Sequence, residues 1–304
     1  MFAAPQRIDG RVFARIPKEL GITNRRSNWV DVQLNGADCP TFLEGPSFDA
    51  DGNLFVVDIP WGRVLKIAPD GSVSVAAEYD GEPNGLKFHK DGRGFIADHR
   101  HGIMVMDPRT GAIEPYLDRP MLQRFKGVND LIFASNGDLY FTDQGQTGLQ
   151  DPSGRLYRLR TDGRLDCVLD RIPSPNGLVL NAAENVLFLA VTRDNAIWRV
   201  PLMKDGTASK VGVFIQMSGG AGPDGVAIDE QGNLAVAHAG FGAVWVFSAK
   251  GEPLYRIDSP EGLMTTNCAY GGPDRKQLFI TESKSGTILV ADLPVAGRPM
   301  YSHG

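Results

Sequence analysis

The chain has 304 residues, 42% of them hydrophobic and 22% charged, which is typical of a globular protein. A net charge of −5 and a pI near 5.6 argue against a nucleic-acid-binding surface, and no run reaches the roughly 18 apolar residues of a membrane helix. The N-terminus lacks the apolar core of a signal peptide, so we expect a cytoplasmic protein with no nucleic-acid or membrane partner.

Residues 1–43 precede a repeated pattern and do not share it. Residues 12–16 predict a strand, and the alternation of apolar and polar side chains at residues 30–34 predicts another. A ring of repeats needs a terminal strand to leave no open sheet edge. We therefore expect this segment to supply a closing strand, and its polar residues 23–28 to form a loop over one face.

The pattern that follows occurs six times, at intervals of about 40 to 50 residues, which is the range of propeller blades. Each copy opens with an oxygen-bearing side chain and carries an apolar residue four positions later. The opening residues are Glu44, Asn84, Asn129, Asn176, Asp224 and Thr266.

The first repeat shows the plan of a blade. Strands are predicted at residues 44–48, 53–58, 63–67 and 72–76, separated by turns that contain glycine. The later repeats keep this plan, with third strands predicted at residues 102–106, 155–159, 196–200, 243–247 and 287–290. The sequence thus predicts an all-β, six-bladed β-propeller with four antiparallel strands per blade. It would be a single closed ring and one domain over residues 1–304, with its repeats at 44–293.

The third repeat carries an insertion at residues 144–153, between its second and third strands. An insertion at that place is more often a surface loop that shapes a site than part of the core.

The opening residues are candidate ligands of a metal ion. The first strand of each propeller blade lines the central channel, so these six side chains should converge at one end of the axis. Their carboxylates and carboxamides suit a hard divalent cation, and calcium is the first candidate because it accepts irregular oxygen coordination. No Cys or His stands in this column, which argues against a structural zinc site. An Asn or Asp before Gly can also be only a turn residue, but copies in register before strands favour a site.

A second polar column lies where each second strand ends, beside the start of the first. Its members are Asp58, Asp98, Asp143, Thr192, His238 and Glu282. Two concentric polar rings at one end would form an acidic funnel around a cation. From these rings, Asn84, Asp98 and His238 are predicted to bind substrate.

Ordered motifs along the chain resemble those of the SMP-30/gluconolactonase/luciferin-regenerating-enzyme family. They are Leu43-Glu44-Gly45-Pro46, Val128-Asn129-Asp130-Leu131, Ser174-Pro175-Asn176-Gly177-Leu178 and Gly222-Pro223-Asp224-Gly225-Val226. The stretch Tyr140-Phe141-Thr142-Asp143 is similar to the lactonase branch. The likeness runs from about residue 40 to residue 293.

The resemblance implies a six-bladed propeller with one catalytic divalent cation in the channel, calcium or zinc, with magnesium and manganese also possible. Its metal ligands match Glu44, Asn129, Asn176 and Asp224, and the Asp of the last motif usually transfers the proton. Asp143 matches an acid implicated in the lactonase branch. Some members of the family carry an Arg two residues before the channel Asn. This chain has Gly127 there, so we do not expect it to hold an aldonolactone substrate in the same way.

The predicted reaction is hydrolysis of a lactone, with a carboxylate activating water. The resemblance favours Asp224 as that base. A cation bound to Asp224 would lower its pKa and weaken it as a base, which favours Asp143 instead.

Two other functions fit the same sequence. A cation that polarises a carbonyl could equally serve hydrolysis of organophosphates or aryl esters. A propeller can also be a non-catalytic interaction scaffold, in which Trp61, Phe241 and Trp245 would form an exposed aromatic patch. The same three residues could equally form the wall of an apolar substrate pocket.

Overall fold

Six small antiparallel sheets surround a common axis in the computed structural model, which describes residues 2–303. The N-terminal segment contains β1 (Gln6–Asp9), β2 (Arg11–Arg15) and helix α1 (Asn28–Leu34). Blade 1 comprises β3 (Leu43–Phe48), β4 (Leu54–Asp58), β5 (Arg63–Ile67) and β6 (Val73–Glu78). Blade 2 comprises β7 (Pro83–Phe88), β8 (Gly94–Asp98), β9 (Gly102–Met106) and β10 (Ile113–Leu117). Blade 3 comprises β11 (Val128–Phe133), β12 (Leu139–Asp143), β13 (Gly154–Leu159) and β14 (Leu165–Ile172).

The second half of the ring repeats this plan. Blade 4 comprises β15 (Pro175–Leu180), β16 (Val186–Val191), β17 (Ala196–Pro201) and β18 (Gly212–Gln216). Blade 5 comprises β19 (Gly222–Ile228), β20 (Leu234–Ala239), β21 (Ala243–Phe247) and β22 (Pro253–Asp258). Blade 6 contains β23 (Thr265–Gly271), β24 (Gln277–Glu282) and β25 (Thr287–Asp292). The predicted all-β, six-bladed propeller is confirmed.

The N-terminus closes the ring. Strand β2 pairs antiparallel with β25 and supplies the fourth strand of blade 6, as the sequence predicted. Strand β1 adds a fifth strand to blade 5, where it runs parallel to β22.

Residues 30–34 are helical, so the strand predicted there is wrong. They belong to α1, which buries Trp29 against Phe42, with ring centroids 4.8 Å apart. The helix ends at Asn35, whose left-handed φ of 51° is the usual way to stop a helix. Three apolar residues at alternate positions are too few to distinguish a β-strand from a short amphipathic helix.

The inner strands β3, β7, β11, β15, β19 and β23 stand next to one another around the axis. Their backbones approach closely where the repeated motif begins. A Cβ on Gly45 would lie 2.8 Å from the Leu86 amide nitrogen, and one on Gly225 would lie 2.7 Å from Asn267 Cα. Bare backbone is therefore needed at these positions. We call the end of the channel where the inner strands begin the upper end, and the other the lower end.

Apolar side chains fill the spaces between neighbouring blades. Between blades 6 and 1, for example, Phe48 and Leu65 pack with Phe279 and Ile288. At the lower end the C-terminal residues cross the channel. Tyr301 stacks on Phe133 at 5.0 Å between ring centroids. No helix within residues 2–303 has the length and apolar character of a membrane span.

The closing strand offers a direct test of ring closure. Ala14 of β2 is buried between β25 and its neighbours, whereas Val12 on the same strand is 43% exposed. An Ala14→Asp variant should lose about 3 kcal/mol or more of unfolding free energy, because it buries an unpaired carboxylate. The matched Val12→Asp variant should lose less than about 1 kcal/mol. Urea unfolding measures both, and equal effects would show that β2 does not seal the blade.

Candidate active site

Glu44, the first residue of the repeated pattern, is almost completely buried at the upper end of the channel. Its Oε2 accepts hydrogen bonds from Asn267 Nδ2 and from the Gly45 amide, both at 2.8 Å. Burial raises the pKa of Glu44 to about 7, although these two hydrogen bonds oppose the rise. Burial makes the negative charge of this carboxylate energetically costly, and the two hydrogen bonds offset only part of that cost.

Two further carboxylates belong to the same electrostatic environment, and we call Glu44, Asp130 and Asp224 the carboxylate cluster. Burial, followed by repulsion from the other two members, raises the pKa of Asp224 well above its ordinary value. Burial also raises the pKa of Asp130, while the Lys87 ammonium opposes that rise. Buried acids with raised pKa values that repel one another favour binding of an added positive charge.

The amides of Asn129 and Asn176 are oriented by their own blades. Asn129 Nδ2 donates to Gln144 Oε1 at 2.9 Å. Asn176 Nδ2 donates to Thr192 Oγ1 at 3.2 Å, and the Thr192 hydroxyl donates in turn to the Pro223 carbonyl. Each amide nitrogen thus has an acceptor, and the carbonyl oxygen at the other end of each amide is available to a cation.

This donor set fits a hard divalent cation. It combines the carboxylates of Glu44 and Asp224 with two amide oxygens, and calcium and magnesium prefer oxygen ligands of these kinds. Within residues 2–303 no three His, Cys, Asp or Glu side chains are grouped as a metal cluster. The four metal ligands predicted from the sequence do not form such a cluster, because two of them are Asn side chains.

The second polar ring mainly holds the backbone that leads into the inner strands. Four of its acids each accept a hydrogen bond from the N–H two residues before the opening residue of their own blade. The pairs are Asp58 with Phe42, Asp98 with Glu82, Asp143 with Gly127, and Glu282 with Met264, at 2.8 to 2.9 Å. We call these four acids the strand clamps. This recurring bond gives the second ring a structural role that the predicted funnel did not include.

Asp143 is the one strand clamp with an unused oxygen. Its Oδ1 accepts from Gly127, but its Oδ2 is buried and has no partner within the described residues. Burial raises the pKa of Asp143, against hydrogen bonds from the Gly127 and Lys126 amides. The free oxygen has the chemistry of a base, but in this conformation it has no contact with solvent.

The three residues predicted to bind substrate lie in different surroundings. Asn84 is half-buried, and the described residues offer its side chain no hydrogen bond. Asp98 also binds the Tyr79 hydroxyl and the amides of Arg100 and His101. The structure therefore brings Asn84 to the channel wall and commits Asp98 to neighbouring groups.

His238 is held as a neutral ring. Its Nε2 donates to the Gly219 carbonyl at 2.9 Å, and its face stacks on Phe241 at 4.7 Å between centroids. Burial lowers the pKa of His238. Its Nδ1 is buried and has no partner among residues 2–303.

Two polar residues of the site were missed by sequence reasoning, Asp130 and Asn267. Both occupy the second position of the repeated motif, where the other four copies have glycine. In the sixth copy it is Asn267 that reaches Glu44. Thr266 instead bonds the Leu43 carbonyl and Ser283. A polar residue at a repeat position that is otherwise glycine is the sequence feature that could have indicated a role for both residues.

The absence of a side chain at residue 127 has a structural cause. A Cβ on Gly127 would lie 2.3 Å from the imidazole Cε1 of His99. The His99 ring therefore occupies the space into which a side chain at 127 would extend. Burial lowers the pKa of His99, so this ring is neutral at neutral pH.

The upper end is partly covered. Gln33 of α1 lies beside a recess formed with residues 144–150, Ser174 and Arg193, so the insertion of blade 3 does border the channel mouth. Trp61 is buried and donates to the Cys39 carbonyl, and it lies on a different blade from Phe241 and Trp245. These three residues do not form one exposed aromatic patch.

Comparisons with known proteins find similar sequences in one family. The family description "SMP-30/Gluconolactonase/LRE-like region" matches residues 42–284. A gluconolactonase from Zymomonas mobilis is 32% identical over 273 residues, covering 79% of this chain and 76% of its own. A lactonase drp35 from Staphylococcus haemolyticus is 34% identical over 244 residues, covering 76% and 73%.

Solved structures show the same fold. A gluconolactonase from Xanthomonas campestris superposes with a TM-score of 0.75 at 25% identity, covering 97% of this chain and 99% of that one. Regucalcin from Agrobacterium tumefaciens, a calcium-binding protein, superposes with a TM-score of 0.77 at 24% identity, covering 98% and 99%.

The raised pKa of Glu44 predicts how stability depends on pH in protein kept free of divalent cations. Its folded pKa of about 7 lies above its ordinary value of 4.5, so the folded state holds this proton more tightly. The contribution is complete below about pH 4.5 and is lost as the pH rises to 7, by at most about 3 kcal/mol. Urea unfolding between pH 4.5 and 7.5 measures this loss.

A Glu44→Gln variant should reduce that pH dependence, because it keeps the shape and removes the titration. Glu252→Gln, at an exposed turn, is the matched control and should leave it unchanged. A Glu44→Gln variant with the full wild-type dependence would contradict the assignment.

Proposed function

The chain belongs to the SMP-30/gluconolactonase/LRE-like family, and on that premise we propose that it is a divalent-cation-dependent lactonase. The carboxylate cluster is the observation that carries the proposal. Asn267 holds the Glu44 carboxylate by a hydrogen bond at 2.8 Å, and the engaged amide nitrogens of Asn129 and Asn176 leave their oxygens for a cation. Burial raises the pKa values of all three acids, so a bound cation would offset the cost of their negative charge. The names of the relatives supply the substrate class, a cyclic ester.

Glu44, Asn129, Asn176 and Asp224 would hold the cation, with calcium the first candidate because all four donors are oxygens. When bound, the cation supplies Lewis acidity to the lactone carbonyl and positive charge to the developing oxyanion. Asn267 keeps Glu44 in place through its hydrogen bond to Oε2.

Asp224 is the proposed proton carrier. Residue 224 keeps some solvent-accessible surface, whereas the free oxygen of Asp143 is buried. Burial and repulsion from Glu44 and Asp130 raise the pKa of Asp224, which opposes the lowering that a bound cation would cause. Asp224 takes a proton from the water that adds to the carbonyl carbon. It returns the proton to the alkoxide that leaves when the ring C–O bond breaks, which gives the hydroxy acid. Asp143 acts as a positioning residue, since it holds the Gly127 amide two residues before Asn129.

Asn84 is proposed to contact substrate from the wall of the upper end, and the buried His238 to position the Gly219 backbone through its Nε2 hydrogen bond. Asp98 contributes by holding the Glu82 amide and, through it, the strand that carries Asn84. His99 fills the space beside Gly127, so residue 127 has no side chain that could bind the hydroxyl groups of a polyhydroxylated lactone. We expect less polar lactones to be the better substrates.

Metal analysis coupled to a lactone assay tests the proposal. Purified protein should contain about one equivalent of a divalent cation per chain. Hydrolysis of an aldonolactone and of an aryl-fused lactone should be lost on chelation and restored by calcium, and a Glu44→Gln variant should lose both metal and rate, unlike Glu252→Gln. If no metal binds and chelation leaves the rate unchanged, the proposal is wrong.

The two candidate bases can be separated by matched variants. Asp224→Asn should lower kcat by about 100-fold to 10,000-fold, the usual contribution of a general base. Asp143→Asn should cost about tenfold or less in kcat and mainly affect stability, because an amide can still accept the Gly127 hydrogen bond. Steady-state kinetics with metal content measured for each variant decides, and a greater loss of kcat in Asp143→Asn would reverse the assignment.

A further inference from the structure

The lower end of the channel contains a cavity that the proposed reaction does not use. Its volume is about 410 Å³, within the range of pockets for small molecules. The ends of the inner strands form its walls, and the C-terminal residues form part of its cover. Its apolar lining includes Phe88, Ile132, Val179, Val226, Met300 and Tyr301. None of the residues of the carboxylate cluster lines it.

Charge in the cavity is unbalanced. Three cations line it, Lys87, Lys90 and Arg298, against a single carboxylate, Glu184. That carboxylate is already engaged, because its two oxygens accept hydrogen bonds from the amide and the hydroxyl of Ser135, both at 2.8 Å.

Lys87 is the cation best placed to bind a ligand inside the cavity. It is half-buried, and its Nζ donates one hydrogen bond, to the Leu86 carbonyl at 3.1 Å, which leaves two further N–H groups. Arg298 donates to the Leu180 carbonyl, and Lys90 lies over the Tyr301 ring at 5.4 Å. An anionic group entering between the apolar walls would therefore meet Lys87.

We propose that the lower cavity is a second binding site, for a small amphipathic anion with one carboxylate or sulfonate on an apolar body. The apolar walls take the body of the ligand, and Lys87 pairs with its charge. The positive charge of Lys87 also opposes the rise in the pKa of Asp130, so this ammonium acts electrostatically on the carboxylate cluster. The ligand would share this ammonium with Asp130 and would not touch the lactonase site itself.

The test uses the full chain and the fluorescent anion 8-anilinonaphthalene-1-sulfonate as probe. The probe should bind the folded protein at about one site, and octanoate should displace it. Octan-1-ol, with the same chain length and no charge, should displace it at least about tenfold less well, because it lacks the ion pair.

Lys87→Met should weaken the binding of the probe and of octanoate by about tenfold or more and leave that of octanol nearly unchanged. Lys204→Met, at an exposed turn, is the control for loss of one positive charge.

Ala227→Phe and Ile132→Trp each fill the cavity and should abolish binding of all three ligands. Circular dichroism and the thermal unfolding midpoint identify the variants that remain folded, and two filling variants guard against the failure of one.

Three results would overturn the proposal. These are no saturable binding of the probe, equal displacement by octanoate and octanol, or unchanged affinity in folded Lys87→Met or in a folded filling variant.

Discussion

The close approach of six inner strands around one axis is the constraint on which the rest of the structure depends. Backbones meet so tightly at Gly45 and Gly225 that no side chain fits between them. Side chains beside these contacts are forced into a narrow, poorly hydrated space. Glu44 and Asp130 therefore keep raised pKa values, and the protein offsets their charge only in part, through Asn267 and Lys87. A bound cation is the natural complement to such a site.

The two polar rings at the upper end do different work. Four members of the inner ring, Glu44, Asn129, Asn176 and Asp224, carry the oxygens proposed to hold a cation. The four strand clamps of the outer ring fix the backbone before the inner strands of blades 1, 2, 3 and 6. Precise placement of a ligand set requires such support from residues behind it. Asp143 is the one strand clamp with a spare oxygen, and that oxygen is buried.

The channel also separates two chemistries along its length. The upper end is acidic and bordered by polar loops, whereas the lower end is apolar and carries more cations than acids. Lys87 and Asp130 stand between them and link their charges. A single closed ring can thus present two unlike sites, because its two ends are built from different positions of the same six strands.

The sequence by itself determined the number of blades, their strand order and the closing role of the N-terminus. Turn glycines, alternating strands and the need to pair every edge are local or general rules that repeat six times. It did not determine α1, because three alternating apolar residues fit either a strand or a short helix until their packing against Phe42 is known. Nor did it reveal Asp130 and Asn267, whose direction depends on the neighbouring strand, or the clamp role of Asp98. Only the tertiary structure decides whether a polar residue faces the channel or holds the backbone, because that choice depends on contacts between segments distant in the chain.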